Sequence, residues 1–270
     1  MTLKREFFDQ KYFSKRYKFI SPVEKLAGLV DFFWEMLPSD STSVPDEVNE
    51  KIFANISSSL IFNSGDPFYL YSGDDCNTLK DSVIIGYRTT PAVYKHLRKN
   101  NLFGIKFKPG AWSVFFNLNS AEIKNGFISF EEFSHNSSLP EHIFSASSIY
   151  DKAKIAEEYL LKSLIEKNNF KYTAVQNTIQ LYLSNLASSA KLSYISRELN
   201  MIPKTLCRYF NEIIGLSPKS CLSILRLRTA LKHYALEKKT FSIYDYGYFD
   251  YSHFIKEIKK YTRVIPAELH

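Results

Sequence analysis

Cysteine is scarce in this sequence. The three present, Cys76, Cys207 and Cys221, are isolated and odd in number, with no Cys-x-x-Cys and no His at ligand spacing. This argues against both a zinc centre and a disulfide framework and fits a reducing, cytoplasmic compartment. Long apolar runs are also missing: no stretch is long enough to cross a bilayer. The opening residues, MTLKREFFDQKYF, mix Lys and Arg with aromatics and have no signal-peptide core. A soluble chain with no membrane partner is expected. There is no Ser/His/Asp set, paired-carboxylate spacing, His-x-x-x-His or phosphate-cradling glycine loop. The sequence is therefore read as non-enzymatic, with no catalytic residue, metal or cofactor.

What is present is a large apolar complement. Over 270 residues the hydrophobic fraction is 45%, with 18 Tyr and 22 Phe, which excludes a disordered chain and allows two domains with separate cores. The net charge of +7 is unevenly spread. Residues 187–270 hold 14 Lys and Arg against 7 Asp and Glu, so the whole excess lies in the last third. Such a segment has the electrostatic footprint of one that meets phosphate.

Within that third, residues 192–210 read LSYISRELNMIPKTLCRYF. Leu192, Ile195 and Leu199 give one helical apolar face. Asn200 suits the left-handed residue that closes a helix, and Pro203 suits the first position of the next. Leu206, Tyr209 and Phe210 face inward, leaving Lys204, Thr205, Cys207 and Arg208 outward. Two short helices with a tight turn and cations on the second describe a helix-turn-helix; any helical bundle also contains such pairs.

Ahead of it the pattern differs. Residues 1–20 form an aromatic, basic leader expected to pack on a sheet. LVDFFWEML, KIFANISSSLIFNSG, FYLYSG, SVIIGYRTT, AVYKHL and LFGIKFK are strand-like and separated by turn residues such as Ser64-Gly65-Asp66-Pro67. They predict an antiparallel sheet or a cupin-like barrel in a domain over residues 1–140, with a helix and turn from Ala111 to Asn125 in which Asn119 or Ser120 is a cap ahead of Ala121-Glu122-Ile123. Such a container offers a small-molecule site, for which Tyr69, Tyr71, Tyr87, Arg88, Lys106 and Trp112 are the candidate lining residues. Residues 141–186 are helical in pattern and predict two connector helices, which suit a linker or a homodimer contact.

After Phe210, Gly215 is placed to close the second helix, and Ser217-Pro218 to cap and open a long one, PKSCLSILRLRTALKHYAL. The segment FSIYDYGYFDYSHFIKEIKKYTRVIPAEL then offers a further unit, with Asp250 as its cap and Phe254 and Ile258 inward. His253, at this helix start, reads as a packing residue.

This ordered set resembles the AraC/XylS family of bacterial transcription regulators over roughly residues 187–268. The blocks that carry it are LSYISRELNMIPKTLCRYF, GLSPKSCLSILRLRTAL, GYFDYSHFIKEIKKY and the terminal IPAEL. FFWEM, SLIFNSGDPF, SVIIGYRTTP, LFGIKFKPG and LNSAEI further resemble a sensor domain found in some members. The resemblance implies an α+β protein: a β-rich sensing domain (1–140), a helical connector (141–186) and an all-α domain with two helix-turn-helix units (187–270).

The implied partners are double-stranded DNA, a small-molecule effector and a second copy of the chain. Two recognition helices would enter successive major grooves about one turn, roughly 34 Å, apart. Lys204, Cys207 and Arg208 would read bases in the first unit, and Tyr251, Ser252 and Lys256 in the second. Arg226, Arg228, Lys259 and Lys260 would hold phosphates. Ile202 departs from the family's usual capping Ser, Arg263 and Ile265 depart from its usual Gly and Thr, and FSIYDYGY is about four residues short before Gly247. The shortening motivates an alternative: a non-enzymatic binding protein of the same architecture that has lost specific DNA binding.

Overall fold

The computed structural model describes residues 3–38, 45–116, 118, 120–134, 138–165, 169–188 and 191–264. Two sheets make up the front half. The first has strand order β1 (Leu3–Arg5), β4 (Glu47–Ile52), β9 (Ala92–Leu97), β6 (Phe68–Ser72), β7 (Asp75–Leu79). The second runs β11 (Phe127–Ser129), β8 (Val83–Ile85), β5 (Ser59–Asn63), β10 (Leu102–Phe107), β3 (Val30–Met36), β2 (Lys18–Ile20). The pairings are antiparallel except that of β1 with β4. The leader does pack on the sheets, giving β1 to one edge, β2 to the other, and helix α1 (Gln10–Arg16) between them.

Residue alternation explains how the sheets stack. Phe68, Leu70, Leu79 and Ala92 of the first sheet share a core with Trp34, Met36, Ile61, Val83, Ile85 and Leu102 of the second. Gly104 lies opposite Trp34, whose indole occupies the space a Cβ would need. The alternate residues of the second sheet, Phe33, Leu60, Phe62, Ile84 and Phe103, belong to a larger core shared with the helices. This sheet is therefore covered on both faces, which accounts for its nearly continuous apolar strands. KIFANISSSLIFNSG, one run in the sequence, contributes the end of β4 to one sheet and β5 to the other.

Ala111–Val114 forms a 3-10 turn behind Gly110, whose φ is 76°. Asn119 lies outside the described residues, and the Ser120 hydroxyl donates to the Glu212 carbonyl at 2.8 Å instead of capping a local helix. α2 (Phe130–Phe133) and α3 (Leu139–Ser145) lead into α4 (Ile149–Lys162). α4 lies on β2 and β3, where Lys152 and Glu35 form a buried ion pair. α5 (Asn169–Ser184) packs instead against the helices that follow: α6 (Leu192–Glu198), α7 (Pro203–Ile213) and α8 (Pro218–Leu236). Among the described residues the connector thus holds three helices where the pattern predicts two. α9 (Tyr251–Thr262) completes the helical part.

Candidate nucleic-acid interface

The pair α6–α7 is built by local signals. α6 buries Ile195, and Asn200 takes φ 52° as the chain reverses. Pro203 occupies the first turn of α7, behind Ile202 in extended conformation with no side-chain cap bond. Leu206, Phe210 and Ile213 are buried on the inner face of α7. Lys204, Arg208 and Asn211 are exposed, and Cys207 is half-buried. The four stand at i, i+3, i+4 and i+7, which places them on one helical face. Asn211 escaped the sequence reading, although its spacing from Lys204 and Arg208 was the available signal. Arg208 Nε is 3.8 Å from Glu212 Oε1 on the exposed surface, a distance and setting that leave the guanidinium weakly held.

The second unit has a different scaffold. Its first helix is reduced to one 3-10 turn, Ile243–Tyr246, started by the Ser242 hydroxyl accepting from the Tyr244 N–H and ended at Gly247 with φ 67°. The stretch expected to be about four residues short thus holds one turn where the first unit has α6. α9 then starts from Asp250, whose Oδ1 accepts the His253 N–H at 2.8 Å. Phe254 and Ile258 are buried, and Tyr251, Ser252, Lys256, Lys259 and Lys260 are exposed along the other side. Pro266 and the rest of the terminal IPAEL, with Ile265, lie outside the described residues.

Two arginines expected on phosphates are engaged inside the protein. Arg226 Nη2 donates to Glu257 Oε1 at 2.7 Å, the side chains being 13% and 11% exposed. Its guanidinium sits 4.3 Å from the Tyr248 ring centroid, and the Tyr248 hydroxyl donates to Glu257 Oε2 at 2.7 Å. This triad ties α9 to α8. Burial together with the Glu257 carboxylate pushes the Tyr248 hydroxyl well above its ordinary pKa. Arg228 makes a two-pronged pair with Glu6, 2.6 Å and 3.2 Å, and donates to the Ala54 carbonyl at 3.1 Å. It therefore joins α8 to the leader and the end of β4. The sequence showed their cationic charge but not these partners.

More bonds fasten the helical part to the sheets. Ala54 N–H donates to the Tyr261 carbonyl at 3.0 Å, and the Tyr87 hydroxyl to the Gly215 carbonyl at 3.2 Å. Gly110 is needed here, because a Cβ would meet Ile213 Cγ2 at 2.6 Å. The apolar C-terminal end of α7 thus rests on the front domain, while its N-terminal end is free of it at Pro203 and Lys204.

The six candidate ligand residues do not converge. Tyr69 and Tyr71 alternate with the buried Phe68 and Leu70 and face away from the sandwich core. Tyr87 and Trp112 are fully buried in the core shared with the helices. Arg88 is buried, donating to the Asn125 carbonyl at 3.2 Å and to the Ser72 hydroxyl. Lys106 Nζ donates to Ser59 Oγ at 3.2 Å; burial and nearby Arg228 lower its pKa to about 8. Open grooves occur elsewhere, one of about 460 Å³ between β2 and the start of α4 and one of about 400 Å³ along α1.

Among the described residues no helix is long and apolar enough to cross a membrane, and no three His, Cys, Asp or Glu side chains cluster as a metal site. The chain matches no curated protein. Among solved structures it is similar to ToxT from Vibrio cholerae, at 12% identity and a TM-score of 0.47, covering 94% of this chain and 97% of that one. It is also similar to the AraC-like transcriptional activator CuxR, at 10% identity and a TM-score of 0.30, covering 82% and 88%. Residues 18–129 match a domain of unknown function, DUF6597, and residues 195–270 match a helix-turn-helix domain. The second match spans the stretch in which α6 to α9 expose their cations, and it gives the chain an AraC-type helix-turn-helix domain over residues 195–270.

Proposed function

We propose that this regulator reads specific DNA sites by placing α7 and α9 in successive major grooves of one duplex face. The observation that carries the reading is the exposed face of α7, where Lys204, Cys207, Arg208 and Asn211 line up opposite a fully anchored apolar face. Arg208 is assigned to guanine, the base edge a guanidinium grips with two hydrogen bonds. Lys204 and Cys207 read neighbouring positions, and Tyr251, Ser252 and Lys256 do so from α9. Lys259 and Lys260 hold phosphates and fix register. Arg226 and Arg228, within their ion pairs, serve the fold of this interface.

The front domain modulates this activity through its contacts with the helical part. Support comes from the number of independent fastenings, at Glu6, Ala54, Tyr87 and Ser120, between the two. An effector acting on the sheets has these bonds as its route to α7 and α8.

Affinity of the full chain for promoter fragments, titrated against salt, tests the reading. A regulator loses affinity steeply with salt and prefers particular fragments. Arg208→Ala is expected to weaken the preferred fragment and leave others little changed. The reduced first helix of the second unit favours one other reading, a binding protein without specific DNA recognition. Equal, weak binding to every fragment, unaltered by Arg208→Ala, is the outcome that selects it.

A further inference from the structure

Both recognition helices lead with a bare apolar side chain. Ile202, at the cap position of α7, is 70% exposed. Phe249, one residue before the cap of α9, is 91% exposed, and Tyr251, the first residue of that helix, is 60% exposed. Single exposed hydrophobic residues are ordinary on protein surfaces. These are not scattered, however: in two separate units they flank the start of the second helix, Ile202 at the cap and Phe249 one residue ahead of it, at the end that enters a groove in helix-turn-helix docking.

Neither side chain is explained by the fold. The cap position favours Ser, Thr, Asn or Asp because a side-chain oxygen can accept a free N–H of the first turn. Ile202 forgoes that bond and packs little in return. Phe249 leaves its neighbours Tyr248 and Asp250 to do the local work, Tyr248 on Glu257 and Asp250 on the His253 N–H. What lies beyond both residues is set by charge: Lys204 and Arg208 on one helix, and Lys256, Lys259 and Lys260 on the other, suit a polyanion. The one strongly apolar group that a duplex presents in its major groove is the thymine C5-methyl.

We propose that Phe249 and Ile202 are specificity-determining residues that pack on thymine methyl groups, so that each half of the site carries a required thymine beside the bases read by hydrogen bonds. The inference rests on the regulator reading above and adds the identity of a base. It assigns the second unit, despite its shortened scaffold, a direct part in sequence selection through apolar contact.

The test uses the full chain and a duplex selected by it from genomic fragments, compared with the same duplex carrying deoxyuridine for thymidine. Loss of each buried methyl is expected to weaken binding roughly four-fold, corresponding to about 0.8 kcal/mol, so that losing both weakens it roughly fifteen-fold. Phe249→Ala and Ile202→Ala, changes at exposed sites that leave the core untouched, should each bind the thymidine duplex more weakly and show a smaller further loss on deoxyuridine. Tight, salt-sensitive binding of the natural chain that is indifferent to the exchange overturns this inference and leaves the regulator reading standing. An equal deoxyuridine loss in the natural chain and both variants also overturns it, including the case in which Phe249→Ala instead disrupts self-association. If no fragment is preferred, the regulator reading fails and this inference falls with it.

Discussion

The two recognition units reach similar exposed faces by opposite means. The first has a complete scaffold, α6 ahead of α7 with Asn200 at the turn, but its recognition helix begins without a side-chain cap. The second has a single 3-10 turn ahead of its main helix, yet α9 begins with a satisfied Asp250 cap and is fixed to α8 by Arg226, Glu257 and Tyr248. Where only one turn precedes the helix, a largely buried charged network supplies the orientation; where a whole helix packs ahead of it, a missing cap is tolerated.

The largest effect should come from breaking that network. Glu257→Ala leaves the Arg226 guanidinium and Tyr248 hydroxyl largely buried without their acceptor. Removing one partner of a buried pair costs about 3 kcal/mol or more. In the first unit, Glu212→Ala removes an exposed carboxylate from Lys171 and Arg208, a change worth about 1 kcal/mol or less. Chemical denaturation of the full chain measures both, and equal costs would contradict the contrast drawn between the units.

Next comes base reading. Arg208→Ala is expected to lose about 1–3 kcal/mol on the preferred site and to relax selection at one base, while Lys259→Ala should weaken all sequences evenly and reduce the salt slope by about one. Competition binding at several salt concentrations separates the two. If Lys259→Ala changes sequence preference as much as Arg208→Ala does, the division between base and phosphate roles is wrong.

How much of this could be read from the chain depended on the range of the interaction. Asn200, Pro203, Ser217 and Asp250 act on residues two to four positions away, so their roles as turn, first helical residue and caps were legible. Phe254 and Ile258 followed from helical period. The Arg226 and Arg228 partners were not legible, because they lie 31 and 222 residues distant, and a cation suited to phosphate is equally suited to a carboxylate. The ligand candidates failed to converge for a related reason. Aromatic strand residues signal a sheet, but which face Tyr71 or Tyr87 takes depends on register and on whether one or both faces are covered.

A smaller change probes the uncapped helix. Ile202→Ser restores an oxygen acceptor at the start of α7 and is expected to stabilise the fold by about 1 kcal/mol, since Ile202 is exposed and little packing is lost. The same variant should bind the thymidine site more weakly if Ile202 touches a methyl. A gain in stability paired with a loss in affinity would show that the first unit keeps its poor cap for recognition. A gain in both would return Ile202 to the ordinary surface.

The narrowest effect, confined to alkaline pH, concerns the junction between the units and the sheets, where Lys106 lies near Arg228, Glu6 and Asp31. Burial first, and then the Arg228 charge, lower its pKa from the ordinary 10.5 to about 8. Below pH 8 the ammonium is charged in folded and unfolded chains alike and the folded state bears the full penalty. Between pH 8 and 10.5 the unfolded chain holds more protons than the folded one, so this group makes stability rise with pH across that window. Thermal melts of the natural chain and Lys106→Met should differ in slope there, with the variant lacking the lysine-dependent rise. Parallel pH profiles would mean that the ammonium is solvated and that the junction near Arg228 is more open than the packing around Glu6 and Ala54 indicates.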